Sequence, residues 1–368
     1  MTILFWFVIV ASSISALYWI VFVVGVSSRK ESSATKLSAP TTGVSILVCA
    51  HDEESNLRIL VPLLLQQDYA LFEIILVEDR CNDGTYDYLL ALTAAEPKVK
   101  MVRVVVKPDH VNGKKFAITL GVKAAKYDWV LLTDADCRPG RQWLKVMAQA
   151  MVEPTQIVLG YSPYQRKRGL LNSFVRFETL VTGIQMMGLA NIGWPYMGVG
   201  RNLAYTKKLF LDTKGFNDHL AVTGGDDDLF VNKHARQVRV ATVLAPEASV
   251  PSVPKQSWSA FLTQKTRHLS VGKHYRLADK FVLGLFQLAS LSGLWGGAAL
   301  LCTPLWMYGL SLLLFRWVLM AGTMLSFEKR TADAPTWWHL PLLDFIYSFY
   351  YLVTGLRAMA THKVRWKN

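Results

Sequence analysis

The sequence predicts an α/β domain, a mostly parallel sheet with flanking helices, joined to transmembrane α-helices. Three observations carry this. Short apolar runs alternate with helical stretches from residue 44 to 132, the pattern of parallel strands with crossover helices on both faces. Acidic residues stand at successive strand ends, where an open α/β sheet binds its ligands. Apolar runs long enough to span a bilayer lie on both sides of this region.

The elements follow in chain order. Ile3 to Val26 carries no charge and reads as an N-terminal transmembrane helix over 1–26. It lacks the basic n-region and small-residue cleavage site of a signal peptide. Arg29, Lys30 and Lys36 follow it, so the positive-inside rule places the central domain in the cytoplasm. Residues 27–43 are rich in Ser and Thr and read as a linker. Val44 to Val48 is the first strand, ending in the polar loop Cys49 to Asn56. The next helix sets Leu57, Leu60, Leu64 and Leu65 on its apolar side. Phe72 to Val77 is the second strand, ending in Glu78 to Thr85, and Met101 to Val106 is the third. Asn112 opens a helix through Lys126. Trp129 to Leu132 is a buried strand that stops at Thr133-Asp-Ala-Asp136. Alternate residues of an extended chain point the same way, so Asp134 and Asp136 can face one ligand. Such hard oxygens suit Mg²⁺ or Mn²⁺. Carboxylates at several strand ends (Asp52, Asp79, Asp134, Asp136) repel unless cations or donors sit among them.

The second half contains a strand at Ile157 to Tyr161 and a sparsely charged helix at Leu170 to Leu189. Three polar motifs follow: Met197 to Asn202, Gly224 to Phe230 and Gln264 to His268. Residues 256–280 form a basic amphipathic segment, suited to a membrane interface or to core packing. Residues 281–327 hold two further transmembrane helices, Phe281 to Cys302 and Leu305 to Phe327, interrupted by Pro304 and Arg316. A third C-terminal hydrophobic segment, 335–360, contains Asp344 and Arg357. If it spans, the basic tail 361–368 lies outside, against the positive-inside rule. The alternative is an interfacial or re-entrant segment with Asp344 and Arg357 wet.

Composition narrows the partners. The 368 residues are 52% hydrophobic and carry a formal charge of +13. No nucleic-acid recognition motif accompanies the charge, so it points to an anionic membrane surface and a phosphate-bearing substrate. The four cysteines show no CxxC or metal spacing, which fits a reduced compartment.

Residues 44 to about 275 resemble the family 2 glycosyltransferases, membrane-associated inverting enzymes of GT-A fold that use nucleotide-diphosphate sugars. The resemblance rests on ordered motifs: Cys49 to Glu54, Glu78-Asp79 with Asp83-Gly84, Gly113-Lys-Lys115, Thr133-Asp-Ala-Asp136, Gly225 to Asp228, and Gln264-x-x-Arg267. It implies a GT-A domain over 44–255. It also implies a nucleotide-sugar site of Asp52, Glu54, Asp79, Asp83, Lys114, Asp134, Gln264 and Arg267, and a metal held by Asp136 and Asp134. The resemblance assigns the base that deprotonates the acceptor to Asp227, with Asp226 as the alternative. Gly198, Gly200, Arg201, Asn202 and His268 fall on the acceptor side; His268 stands where the family has Trp. Either Asp52 or Asp79 could instead cap a helix, and Lys115 competes with Lys114 for the phosphate.

The expected activity is metal-dependent transfer of a hexosyl or N-acetylhexosaminyl group, from a donor expected to be UDP-linked. The acceptor is a lipid or lipid-linked glycan at the cytoplasmic face of a bacterial inner membrane. A processive polysaccharide synthase is the alternative within the class. A non-catalytic membrane scaffold is the alternative outside it, and the intact acidic motifs argue against that.

Overall fold

The computed structural model describes residues 2–28, 42–109 and 111–360. Most of the expected linker, and all of the basic tail, fall outside these residues. The chain divides into two compact units. One comprises Met1–Arg29, Arg166–Gly193 and Lys255–Val364, and the other chiefly Lys30–Gln165 and Trp194–Pro254.

Chain order begins with α1 (Thr2–Ser27), β1 (Val44–Ala50), α2 (Glu54–Leu65), β2 (Phe72–Asp79), α3 (Thr85–Ala95), β3 (Val99–Val104), α4 (Gly113–Ala124) and β4 (Trp129–Leu132). It continues through α5 (Trp143–Ala148), β5 (Thr155–Gly160), α6 (Leu170–Asn191), β6 (Leu203–Thr206), α7 (Lys207–Asp212), α8 (Asp228–His234) and β7 (Arg239–Val243). The last helices are α9 (Trp258–Val271), α10 (Leu277–Leu300), α11 (Trp306–Thr331) and α12 (Leu340–Ala360).

The α/β unit is built on one seven-stranded sheet of order β3-β2-β1-β4-β6-β5-β7. β6 runs antiparallel to both neighbours, and the other pairs are parallel. β1 and β2 are buried along nearly their whole length, as near-continuous apolar strands covered on both faces should be. Val48, Leu60, Leu64, Ile74, Leu131, Trp143 and Val158 share one core. β1 feeds β2 on one side and pairs with β4 on the other. The strand order therefore reverses between β1 and β4, which is where open α/β sheets bind ligands. The ends of β1 and β4 carry Asp52 and Asp134.

β4 spans the residues read from sequence, while β3 starts two residues earlier than expected. β6 and β7 were not anticipated. β6 is four residues long and follows a 3-10 turn, and β7 is only partly buried. Neither shows the apolar run that marks a central strand.

The helical unit packs α1 against α6, α10 and α11. α1 and α6 meet through glycines: a Cβ on Gly25 would lie 2.1 Å from the carbonyl oxygen of Gly188. Small residues at such a crossing let two backbones approach closely. α1, α10 and α11 are long and apolar enough to cross a membrane. Outward-facing Phe281 and Val318 leave apolar surface on α10 and α11. In α12, Asp344 is not wet. It is 1% exposed and accepts a bidentate pair from Arg316 Nε and Nη2 at 2.7 and 2.8 Å. Arg316 Nη1 also donates to Ser15 Oγ at 2.9 Å. Two charges that look like interruptions in sequence are thus each other's partners, while Arg357 is exposed.

Candidate active site

The loops after β1 and β2 are laced together by their own acids. Asp52 adopts φ 54°, and its Oδ1 accepts from the N–H groups of Asn82 (2.6 Å) and Asp83 (3.3 Å). Asp83 returns the bond, accepting from Glu54 N at 3.2 Å and from Thr85 N at 3.0 Å. Burial works against the Asp83 carboxylate, but bonds from Thr85 and Glu54 hold its pKa below the usual value. Glu54 is paired with Arg58 at 2.8 Å. Asp79 is buried at the end of β2, with Oδ1 2.7 Å from Arg80 Nε. Neither Asp52 nor Asp79 is the cap of a helix: the residue before α2 is Glu53, and Gly84 precedes α3.

The second group forms where α4, β4 and the loop before α8 converge. Asn112 caps α4 by accepting from Lys115 N. That start presents Lys114, whose Nζ lies 3.0 Å from Asp134 Oδ1 and 3.1 Å from Asp226 Oδ2. The contact with Asp226 is an ion pair by distance, without an aligned hydrogen bond. Burial opposes the ammonium, yet Asp134, Asp226 and Asp227 outweigh it and hold Lys114 well above the ordinary lysine value. Lys115 turns inward. It is fully buried and donates to the carbonyls of His219 (2.6 Å) and Val222 (2.9 Å). Burial lowers its pKa to about 8. The structure thus separates the two lysines that the sequence left in competition.

Gly224 and Gly225 precede the acids with φ of 84° and 76°, a left-handed pair that glycine adopts without steric cost. His219 Nε2 lies 3.1 Å from the Gly225 carbonyl, and burial lowers its pKa to about 4, so it stays neutral there. Asp226 is buried. Asp227 Oδ2 accepts from Gly200 N at 2.7 Å, and its Oδ1 accepts from Asp228 N at 2.8 Å. Burial and the charge of Asp226 push the Asp227 pKa up to about 6, against the pull of Lys114 and the two N–H groups. Asp228 begins α8.

Asp136 Oδ1 accepts from Ser252 Oγ at 3.1 Å. Arg201 lies 4.4 Å over the ring of Tyr164 and donates from Nη2 to the Ser162 carbonyl; its Nη1 has no hydrogen-bond partner among the described residues. Asn202 is completely buried. It accepts from Trp143 Nε1 and donates to the carbonyls of Tyr161 and Ala248. Its amide is thus engaged in the interior. A Cβ on Gly198 would meet Val231, Leu203 and Leu159. Gly198 is thus closely packed, while Gly200 N–H donates to Asp227.

Gln264, Arg267 and His268 lie on α9, in the helical unit. Ser257 caps this helix by accepting from Ala260 N. Its apolar side packs Trp258 on Phe174 and Phe261 on Tyr350, and Lys265 pairs with buried Glu178 at 2.5 Å. Gln264 Oε1 is buried without a hydrogen-bond partner among the described residues, and His268 is exposed.

Two acidic groupings offer themselves to a cation. Among the described residues, Asp52, Cys81 and Asp83 have ligand atoms within 4.8 Å of one another. Their chemistry is mixed: burial raises the Cys81 thiol to about 11, so it stays protonated, and both carboxylates are engaged in the loop lacing. Asp134 and Asp136 supply only hard carboxylate oxygens at the end of β4, the donor type that Mg²⁺ and Mn²⁺ prefer. The residues fit the ion there.

Sequence reading missed Ser252, Tyr164 and the Lys115–His219 brace. No spacing signals them, because each meets its partner from a distant part of the chain.

The description "Glycosyl transferase family 2" matches residues 45–202, and "Glycosyl transferase family group 2" matches residues 129–354. The chain is 26% identical over 134 residues to chondroitin synthase of Pasteurella multocida. That match covers 36% of this chain and only 13% of the relative's length. The mannosyltransferase PcManGT from Pyrobaculum calidifontis, solved with GDP-Man and Mn²⁺, aligns with a TM-score of 0.58 at 16% identity. The alignment covers 97% of this chain and all of that one. TarS from S. aureus aligns at 0.43 and 14% identity, over 88% of this chain and 93% of its own. The fold is GT-A-like, and with more than half of its length inside one family description, the chain belongs to the family 2 glycosyltransferases.

Proposed function

We propose that this enzyme moves a sugar from a nucleotide-diphosphate donor to a lipid or lipid-linked acceptor at the cytoplasmic face of a membrane. One observation carries the reading most directly: Lys114, Asp134, Asp226 and Asp227 come together beside the Gly200 N–H. Asp79 and Asp52 accept hydrogen bonds from the nucleoside. Lys114, in the first turn of α4, takes the diphosphate, where an ammonium and backbone N–H groups both favour phosphate. Of the two α9 residues that the motif resemblance assigns to the donor, Arg267 carries a guanidinium, a group suited to bidentate pairing with phosphate oxygens. Asp134 and Asp136 would hold Mg²⁺ or Mn²⁺, which would stabilise charge on the departing diphosphate.

Asp227 is the general base. Its pKa of about 6 leaves it ionised at neutral pH yet basic enough to take a hydroxyl proton. The acceptor oxygen attacks the anomeric carbon, the bond to the donor phosphate breaks, and the nucleoside diphosphate leaves. Asp227 receives the proton, and configuration inverts. Gly200 N–H and Asp228 N–H orient the carboxylate without consuming all of its lone pairs.

Three helices suited to a membrane favour a lipid acceptor over extrusion of a long polymer through a sheltered channel. The relative named a chondroitin synthase favours the second reading, processive polymer synthesis. The test is donor turnover by the purified chain in mild detergent with lipid extract. A panel of UDP- and GDP-sugars is offered with Mn²⁺ or Mg²⁺, and nucleotide release and labelled product are followed. A discrete product that partitions into organic solvent is the expected result. A high-mass aqueous product establishes the polymer reading, and hydrolysis alone overturns both.

A further inference from the structure

Lys114 stands where the two halves of the acid cluster meet. Its ammonium is within 3.1 Å of carboxylate oxygens from both β4 and the loop before α8. A divalent cation is drawn to Asp134 by the same negative charge. The two cations compete, because like charges a few ångströms apart in a partly buried site repel strongly. The start of α4 is pinned meanwhile. Asn112 caps it, and Lys115 is bonded to two carbonyls of the 219–222 loop. Exchange of partners therefore falls to the Lys114 side chain, a flexible stem with a rotatable ammonium.

We propose that Lys114 is an internal counter-ion that keeps a divalent cation off Asp134 until a diphosphate arrives, so that metal binding depends on donor binding. This rests on the reading of Asp134 and Asp136 as the metal ligands. A diphosphate offers the ammonium a new anion at the same helix start. Lys114 passes to it, and the released Asp134 joins Asp136 on the cation. Before that exchange the ammonium keeps Asp134, Asp226 and Asp227 from repelling one another in a confined space. The lysine thus serves as a placeholder for the metal and then as a phosphate ligand.

The test is Mn²⁺ binding to the full purified chain, read by electron paramagnetic resonance of the free ion, first with Mn²⁺ alone and then with UDP or GDP. Wild type is expected to bind Mn²⁺ weakly alone and at least about tenfold more tightly with its nucleotide. Lys114→Met is expected to bind Mn²⁺ alone at least about tenfold more tightly than wild type. Lys114→Arg, which keeps the charge, is expected to remain weak. Lys114→Gln repeats the neutral variant should the Met form melt early. No gain in affinity in either neutral variant overturns the proposal and leaves the metal assignment standing. A gain that survives Asp134→Asn and Asp136→Asn in the same background overturns the metal assignment and the proposal with it.

Discussion

A carboxylate that must accept a proton near neutral pH has to be less acidic than a surface aspartate, and Asp227 is placed to be so. Burial and the neighbouring charge of Asp226 raise it, while Lys114 and two N–H groups keep the rise moderate. In the proposed role as base its working form is deprotonated, so transfer is expected to fall as pH drops through about 6, measured as kcat across pH. Asp227→Asn is expected to retain nucleotide binding and lose transfer by about 10²–10⁴-fold. Near-normal turnover in that variant moves the base to Asp226. Asp136→Ala is expected to abolish metal-dependent donor binding in calorimetric titration; unchanged binding with Mn²⁺ places the ion elsewhere. At this scale the acids were readable because their motifs are local. The choice between Lys114 and Lys115 was not. Successive helical residues point about 100° apart, and only the position of the 219–222 loop decides which one is buried. The bonding of Asn202 was illegible for the same reason: its amide bonds Trp143 and two carbonyls that lie far from it in sequence.

Individual elements show how context overrides composition. Arg316 and Asp344 look like flaws in two apolar runs, but together they form a bidentate pair between α11 and α12. Removing one partner strands a buried charge, which costs about 3–5 kcal/mol, whereas replacing both by apolar residues is often tolerated. Arg316→Leu is therefore expected to lower the melting temperature in detergent, and Arg316→Leu with Asp344→Leu to recover much of it. A double variant as unstable as the single one would show that Ser15 and Trp317 need these charges as well. Likewise, α1 and α6 approach through Gly25 and Gly188. Gly25→Leu is expected to impair folding of the helical unit, seen as loss of monodisperse protein on size exclusion. β6 and β7 escaped sequence reading because a short or partly exposed strand gains its stability from its neighbours, not from its own pattern.

On the scale of the whole molecule, an enzymatic α/β unit and a helical unit are interleaved along one chain. α1, α10 and α11 present enough apolar length to cross a bilayer. The chain is accordingly expected to remain with membranes through alkaline carbonate extraction and to be released by detergent; release by carbonate alone would reject the spanning assignment. The sequence by itself determined the family, the alternating β and α order of the first half, the acidic strand ends and the three long apolar helices. These follow from local periodicity and short motifs, which survive without knowledge of distant contacts. Only the tertiary structure decided that Lys114 and not Lys115 meets Asp134 and Asp226, that Asp227 is oriented by Gly200, and that Asp344 is sealed by Arg316. Each depends on residues far apart in sequence being brought within hydrogen-bond distance, and burial then sets the charge and reach of each group.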